Sequence, residues 1–340
     1  MKLPIPKSPL WRIALVAAAI AGFVALVVWR LPALDGVSSA FQAVAWGWVA
    51  GAILINLFSV VVRSAAWRIV LHEAFPHVRL RSRSVFAAFC VGLLGNAALP
   101  GRVGELARVA VLARRVRRPG AWATIVGTVF AHRIFDLVAS ASLVVYVLYA
   151  SKLPRWAVPS LGILFGIGIG LLVAALVVAR RHHHSMEEEW GIVRRVVVTT
   201  RAGLIVLRRP APSAAALCFQ LLGWTAQLFA VWASMRAFQI HGSIPAAALV
   251  LVLINLATIF PLWPGNVGLV QAAVALPLLS YGVAYPHGIA FGFGLQAIEA
   301  SVGVGLGLAF LAREGFTFAM LKRMPEVTEV EVDERIERIA

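Results

Sequence analysis

The sequence is short of charged residues, and of acids in particular. Charged residues make up 14% of its 340 residues, whereas a soluble domain carries about 25%. Between Ala237 and Ile298 there is no Asp, Glu, Lys or Arg at all. That stretch excludes a soluble globular fold, because only several passes through a bilayer account for it directly. The chain is therefore predicted to be an all-α polytopic membrane protein.

Cysteine and phosphate-binding loops are equally scarce. The two cysteines, Cys90 and Cys218, lie in apolar segments, which excludes a disulfide framework and predicts buried structural thiols. No Gly-x4-Gly-Lys-Ser/Thr loop occurs, so ATP hydrolysis is not expected. The three consecutive histidines at 182–184 are interpreted as a solvated loop. No metal site and no cofactor is predicted.

Positive charge is plentiful, and its placement predicts the topology. The net charge of +16 comes from Lys and Arg clusters that flank the apolar runs. Clusters in such positions mark cytoplasmic loops, so the excess does not indicate nucleic acid binding. We expect a multi-pass protein of the plasma (inner) membrane with both termini cytoplasmic, whose basic loops also hold anionic lipid headgroups.

The apolar runs are of two lengths. Two pairs of short pieces, 85–99 with 103–113 and 246–260 with 267–281, are each too short to cross a hydrocarbon core of about 30 Å. Each pair is predicted to form a re-entrant hairpin that turns at Pro100-Gly101 or at Pro264-Gly265. About six longer runs are predicted to span fully: 13–30, 41–68, 121–150, 156–179, 212–235 and 287–311.

The two hairpins belong to a repeat. Pro100-Gly101-Arg102-Val103-Gly104 is matched 164 residues later by Pro264-Gly265-Asn266-Val267-Gly268. Arg133-x-x-Asp136 is matched by Gln296-x-x-Glu299 at an offset of 163. Because the charge-derived topology inverts the second unit, we predict an inverted repeat whose two tips meet near the membrane midplane, an arrangement typical of alternating-access carriers. The alternative is that two Pro-Gly turns match by chance.

The repeat sets the predicted organisation of a single membrane domain, 1–340. An N-terminal helix (1–40) precedes repeat A (41–150). A connecting helix and cytoplasmic segment (151–210) lead to repeat B (211–315), and a cytoplasmic tail (316–340) follows.

The first tip has the chemistry of an anion site. A helix that begins after Pro-Gly presents unpaired N–H groups and a partial positive charge, and Arg102 adds a full charge suited to phosphate. Charged side chains in hydrocarbon cost about 2.5 to 3.5 kcal/mol each, so Glu105, Arg108, Arg133 and Asp136 call for a reason. That reason is either substrate binding or a structural ion-pair network.

The second tip, with Asn266 and Gln271, is polar but uncharged. Any proton coupling is expected to run through the intramembrane acids Glu105, Asp136 and Glu299.

At these residues the sequence resembles the flippase-like family, the transmembrane region of lysylphosphatidylglycerol synthases. The run Asn96-x3-Pro100-Gly101-Arg102-Val103-Gly104-Glu105-x2-Arg108 is similar to its first signature, Arg133-x2-Asp136 to the following helix, and 264–268 to its second signature. The second signature usually has Gly and Glu where this chain has Asn266 and Gln271. The resemblance covers about 41–311 and implies movement of lipids or lipid-linked headgroups between leaflets.

Residues and resemblance together give the substrate-binding candidates. These are Asn96, Pro100, Gly101, Arg102, Gly104, Glu105, Arg108, Arg133 and Asp136 in repeat A, and Pro264, Gly265, Asn266, Gly268, Gln271, Gln296 and Glu299 in repeat B.

The expected function is a lipid flippase or translocase that moves an anionic phospholipid or a polyprenyl-phosphate-linked lipid by alternating access. A secondary carrier of a small soluble anion and a membrane-embedded enzyme that modifies lipid headgroups stay open as alternatives, as does a scaffold for an enzyme acting in trans. Bifunctional members of the family that the sequence resembles carry an additional soluble aminoacyl-transfer domain. Here fewer than 30 residues follow Arg313, so lipid aminoacylation is not expected. The expected partners are anionic membrane lipids, with a homo-oligomer and a lipid-modifying enzyme in trans left open.

Overall fold

The computed structural model describes residues 35–98, 104–116, 121–152, 203–258 and 266–313, together with Gly162, Gly166 and Gly170. The predicted span at 13–30, most of the one at 156–179, both Pro-Gly turns and the C-terminal tail lie outside the described residues. Within the described ranges the chain is helical and contains no strand.

Nine α-helices make up the described fold. The first, α1 (Asp35–Gln42), lies at the end of the N-terminal segment. In repeat A they are α2 (Trp46–Ala74), α3 (Ser82–Ala98), α4 (Gly104–Val116) and α5 (Ala121–Ala150). In repeat B they are α6 (Pro210–Ala237), α7 (Ile244–Ala257), α8 (Leu269–Leu278) and α9 (Tyr285–Arg313). Short 3-10 turns at Ile205–Arg208 and Leu279–Tyr281 precede α6 and follow α8.

Four of the described helices are long and apolar enough to cross a membrane: α2, α5, α6 and α9. They contain 28 to 30 residues each, which corresponds to about 42 to 45 Å of helix. This is more than the hydrocarbon thickness of about 30 Å. The prediction of an all-α polytopic membrane protein is confirmed by these helices.

The helices between them are short, as the sequence predicts. α3 and α4 have 17 and 13 residues, and α7 and α8 have 14 and 10, so each pair consists of arms of about 15 to 26 Å. The two arms of each pair pack against each other. We call α3 with α4 hairpin A and α7 with α8 hairpin B.

The two repeats pack in the same way. Within repeat A, α2 contacts α3 and α5, and α4 contacts α3 and α5; within repeat B, α6 contacts α7 and α9, and α8 contacts α7 and α9. Between the repeats, α3 packs on α9 just as α7 packs on α5, and α2 packs on α9 just as α6 packs on α5. The equivalent helices α2 and α6 pack on each other. Exchanging the repeats therefore preserves these packings.

Contacts along α2 and α6 show that they run antiparallel. Near the middle, the Ser59 hydroxyl donates to the Gly223 carbonyl at 2.8 Å, and these positions are equivalent at the 164-residue offset. At one end the Ala45 N–H donates to the Ala237 carbonyl at 2.8 Å. At the other end Arg209 pairs with Glu73 at 2.7 Å. The offset exchanges these two end contacts, so the pseudo-twofold axis is perpendicular to the spanning helices, as an inverted repeat requires.

Two details differ from the sequence-based expectations. The span predicted at 41–68 begins at Trp46, because the chain turns after the separate helix α1 and the Ala45 N–H bonds to α6. Cys90 is buried as expected, but Cys218 is exposed on α6. A spanning helix is apolar on its lipid-facing side as well, so an apolar segment does not by itself bury a thiol inside the protein.

Candidate functional site

Hairpin A is closed by a contact between two glycines. A Cβ atom on Gly104 would overlap the Gly92 carbonyl oxygen and would lie 2.6 Å from the backbone nitrogen and side-chain oxygen of Asn96. Only glycine lets the arms approach this closely. The approach places the first turn of α4, with Glu105 and Arg108, directly against α3.

Glu105 is the first member of a charged network between α4 and α5. Its carboxylate pairs with Arg108 at 2.5 Å, one turn along α4, and with Arg133 of α5. Arg133 also donates to Asp136 at 2.8 Å, one turn along α5. The network thus joins the two acids through one arginine.

Asp136 is the centre of the network and joins three helices. Besides Arg133, it accepts hydrogen bonds from Arg63 of α2 at 2.9 Å, and from Gln220 and Trp224 of α6 at 2.5 and 2.8 Å. So many donors offset the cost of removing a carboxylate from water. The Arg63 guanidinium also lies 5.5 Å from the centre of the Trp224 ring.

Two aromatic rings contact Arg108, the most buried arginine of the network. The Arg108 guanidinium lies 4.8 Å from the centre of the Trp67 ring and 5.8 Å from that of Phe89. The Trp67 indole N–H donates to the Thr128 hydroxyl at 3.2 Å, which fixes the ring. Such cation–π contacts help to keep a desolvated guanidinium charged.

The network carries a surplus of positive charge. Three arginines, at 63, 108 and 133, face two acids, at 105 and 136, so the described members sum to +1. Their coverage by protein differs: the exposed fraction of the side chain is 37% for Arg133, 22% for Arg63 and 5% for Arg108. Of these three arginines, Arg133 is therefore the one most open to a ligand.

Repeat B has corresponding links that contain no arginine. Gln271 of α8 donates to Gln296 of α9 at 2.8 Å, and Glu105 with Arg133 likewise links α4 to α5, although Gln271 lies two positions beyond the equivalent of Glu105 at the 164-residue offset. Gln227 of α6 donates to Glu299 of α9 at 2.9 Å, as Arg63 and Asp136 link α2 to α5. Gln227 and Glu299 follow Arg63 and Asp136 by 164 and 163 residues.

The residues just before α8 depend on unusual backbone conformations. Gly268, at φ +92°, has open space where a Cβ would be, so its conformation alone calls for glycine. Asn266 has φ +45°, a left-handed value that Asn tolerates better than most residues, and its amide donates to the Ala257 carbonyl at 3.1 Å. The Gln271 side chain accepts the Gly268 N–H at 2.6 Å and caps the start of α8.

The family follows from a comparison with known proteins. The model of the lysylphosphatidylglycerol synthase TM region matches residues 11–327. The chain belongs to this family. It is thus a membrane protein related to lipid metabolism or translocation. No curated protein and no solved structure matches it.

In this member of the lysylphosphatidylglycerol synthase TM family, the predicted site residues form separate groups. Glu105, Arg108, Arg133 and Asp136 form one network, Gln271 and Gln296 form a second, and Glu299 pairs with Gln227. Asn96 and Gly104 meet where hairpin A closes. Asn266 and Gly268 shape the turn before α8. Pro100, Gly101, Arg102, Pro264 and Gly265 lie outside the described residues.

Sequence reasoning missed four polar partners within the spanning helices: Arg63, Gln220, Trp224 and Gln227. A signal was available, because an ionisable residue inside an apolar span indicates function by default, and Arg63 is such a residue. The 164-residue offset would then have identified Gln227 as the equivalent of Arg63 in repeat B. Gly223 belongs to the same set, since a Cβ there would overlap the Arg63 side chain.

Proposed function

We propose that this protein is a carrier, not an enzyme, and that it moves an anionic lipid, a phospholipid or a polyprenyl-phosphate-linked species, between the leaflets of the plasma membrane. The observation that carries the proposal is the surplus positive charge in the network of Arg63, Arg108, Arg133, Glu105 and Asp136. Family membership supports a role in lipid metabolism or translocation.

A phosphate group suits this network. Buried charge is costly, and an anionic headgroup would neutralise the surplus that the two acids leave. Among the three arginines of the network, Arg133 has the largest exposed fraction of its side chain. Its guanidinium geometry suits bidentate contact with a phosphate. The headgroup would exchange its hydration for these contacts while the acyl chains stay in the hydrocarbon.

The repeat supports alternating access. Because α2 and α6 are joined at both ends and in the middle, they form the fixed pair of this mechanism. The hairpins are the parts proposed to move, each entering the membrane from its own side. A headgroup would pass from the charged hairpin A to the neutral hairpin B, where binding is weaker and release is easier.

Leaflet exchange in proteoliposomes tests the proposal. We expect purified protein to accelerate the exchange of fluorescent phosphatidylglycerol well above the rate in protein-free vesicles, and more than that of phosphatidylcholine. Arg133→Gln, which places the residue of repeat B in repeat A, should slow exchange about tenfold or more, since a hydrogen bond to a charged group contributes about 1.5–3 kcal/mol. Arg68→Gln is the matched control, because Arg68 is an exposed arginine of α2.

The same preparation separates the alternatives. Exchange no faster than in empty vesicles would refute lipid transport, and uptake of labelled inorganic phosphate in such vesicles would indicate a soluble-anion carrier. Mass spectrometry of the lipid after the assay should find it chemically unchanged. A modified headgroup would indicate an enzyme. Loss of exchange in Arg68→Gln equal to that in Arg133→Gln would refute the assigned site.

A further inference from the structure

Glu299 differs from the other acids in the described core of the protein. Glu105 and Asp136 each pair with arginines. Among the described residues Glu299 forms no ion pair, and its hydrogen-bond partner is the neutral amide of Gln227 at 2.9 Å. It nevertheless lies within α9, a helix long and apolar enough to span the membrane. We propose that Glu299 is a proton-binding site that couples lipid transport to a proton gradient, an inference that rests on the proposed function.

The acids differ in the free-energy cost of binding a proton. A proton bound to Glu105 or Asp136 would leave an arginine buried without its counter-ion, which is strongly unfavourable. A proton bound to a Glu299 oxygen yields a neutral carboxylic acid and breaks no ion pair. The Gln227 amide can still donate to the other carboxyl oxygen of the neutral acid. Glu299 can therefore bind and release a proton without dismantling the network.

Arg63 connects the proton site to the anion site. α9 packs against α1, α2, α3, α6 and α8. The charged side chain of α2 beside the Glu299–Gln227 link is Arg63, because it contacts Gly223, which lies one turn of α6 before Gln227. Gln227 is neutral, and α8 has no ionisable residue. Gly223 leaves the space through which the Arg63 side chain passes between the repeats.

The coupling follows from competition for one guanidinium. An ionised Glu299 attracts Arg63 away from Asp136, whereas a protonated Glu299 leaves Arg63 in its observed bond to Asp136. Proton binding therefore sets how much positive charge the network offers to an anionic headgroup. In the transport cycle the proton enters the carboxylate from one side of the membrane and leaves to the other, with no covalent change in protein or lipid.

Exchange of phosphatidylglycerol over a series of pH values tests the coupling. We expect the wild-type rate to change about fivefold or more across the series, as a coupling free energy of 1–3 kcal/mol gives. Glu299→Gln, a fixed neutral mimic of the protonated acid, should make the rate independent of pH. Glu299→Asp should restore the dependence. Glu73→Gln is the matched control, since Glu73 pairs at the end of α2 and should keep the wild-type pH profile.

Infrared difference spectroscopy of the reconstituted protein tests proton binding without transport. A protonated-carboxyl band that disappears as the pH rises should be present in the wild type and in Glu73→Gln and absent in Glu299→Gln. If the band persists in Glu299→Gln, the assignment is wrong.

The two proposals fail in different ways. Exchange by the wild type that is independent of pH, or that depends on Na⁺ instead, overturns proton coupling and leaves the lipid carrier standing. No exchange at all overturns the carrier and the coupling together, and the infrared titration then decides separately whether Glu299 binds a proton.

Discussion

Repeats A and B make the same helix contacts with different side chains. Where repeat A joins α2 to α5 by Arg63 and Asp136, repeat B joins α6 to α9 by Gln227 and Glu299. The second link changes likewise, from an ion pair on Glu105 to an amide pair on Gln271. The comparison teaches that apolar packing maintains the frame, which leaves the polar positions free to diverge. A symmetric frame thus holds an electrically asymmetric site.

The two hairpins differ in what their glycines do. Gly104 is required because another backbone is too close for a Cβ, whereas Gly268 has room for a Cβ but an unusual φ of +92°. Equivalent positions in the repeat therefore keep the same residue for different physical reasons. Substitutions at matched positions of the two repeats should therefore have unequal effects.

The charged link should matter most for stability. Asp136→Asn removes the carboxylate shared by Arg63 and Arg133 and should lower the free energy of unfolding by about 3–5 kcal/mol, as breaking a buried ion pair does. Glu299→Gln replaces one member of a link in which the described residues form no ion pair, and should cost about 1 kcal/mol. Thermal unfolding in nanodiscs measures both. Equal losses would contradict the asymmetry between the repeats.

Alanine substitutions at Gly104 and Gly268 should destabilise different parts of the protein for different reasons. Gly104→Ala forces the arms of hairpin A apart and should cost about 1–3 kcal/mol, as overpacking does. Gly268→Ala should cost about 1–2 kcal/mol through its backbone alone. Hydrogen exchange distinguishes the two causes, because the first change should expose amides in both α3 and α4, and the second only those at the start of α8. Identical exchange patterns would refute the distinction.

The end contacts of α2 and α6 should have the smallest effect. Arg209 is more than half exposed, so Arg209→Gln should cost less than about 1 kcal/mol, and less again at high salt. The equivalent contact at the other end is a backbone hydrogen bond between Ala45 and Ala237 and offers no charge to screen. Unfolding curves at low and high salt measure the difference. A loss as large as that of Asp136→Asn would place this pair in the core of the fold.

Much of the fold could be predicted because it is recorded in the order of the residues. Lengths of apolar runs predicted the four described spans and the short hairpin arms, and the Pro-Gly repeat predicted two equivalent units. The helix ends differ from prediction by a few residues, since hydropathy alone does not mark where a helix stops. The membrane location of the hairpin tips remains a prediction.

The site could be predicted only where its residues stood beside a motif. Glu105 was found because it directly follows the first Pro-Gly signature, and Asp136 because Arg133-x-x-Asp136 matches Gln296-x-x-Glu299 in the second repeat. Arg63 and Trp224 were not predicted as site residues. Each lies in a long apolar helix, and nothing nearby in the sequence indicates its partner. Their role appears when α2 and α6 come to lie beside α5.

The length of apolar runs and the position of helix breakers are local properties, so the order of residues is enough to identify a helical membrane protein with an internal repeat. Packing in three dimensions is needed to bring Arg63 to Asp136 and to give Glu299 an amide partner. The pairs Glu105–Arg108 and Arg133–Asp136 lie one turn apart on a helix, but Arg63–Asp136 and Gln227–Glu299 join side chains more than 70 residues apart. No local pattern encodes such distances, and they follow from how the two halves pack.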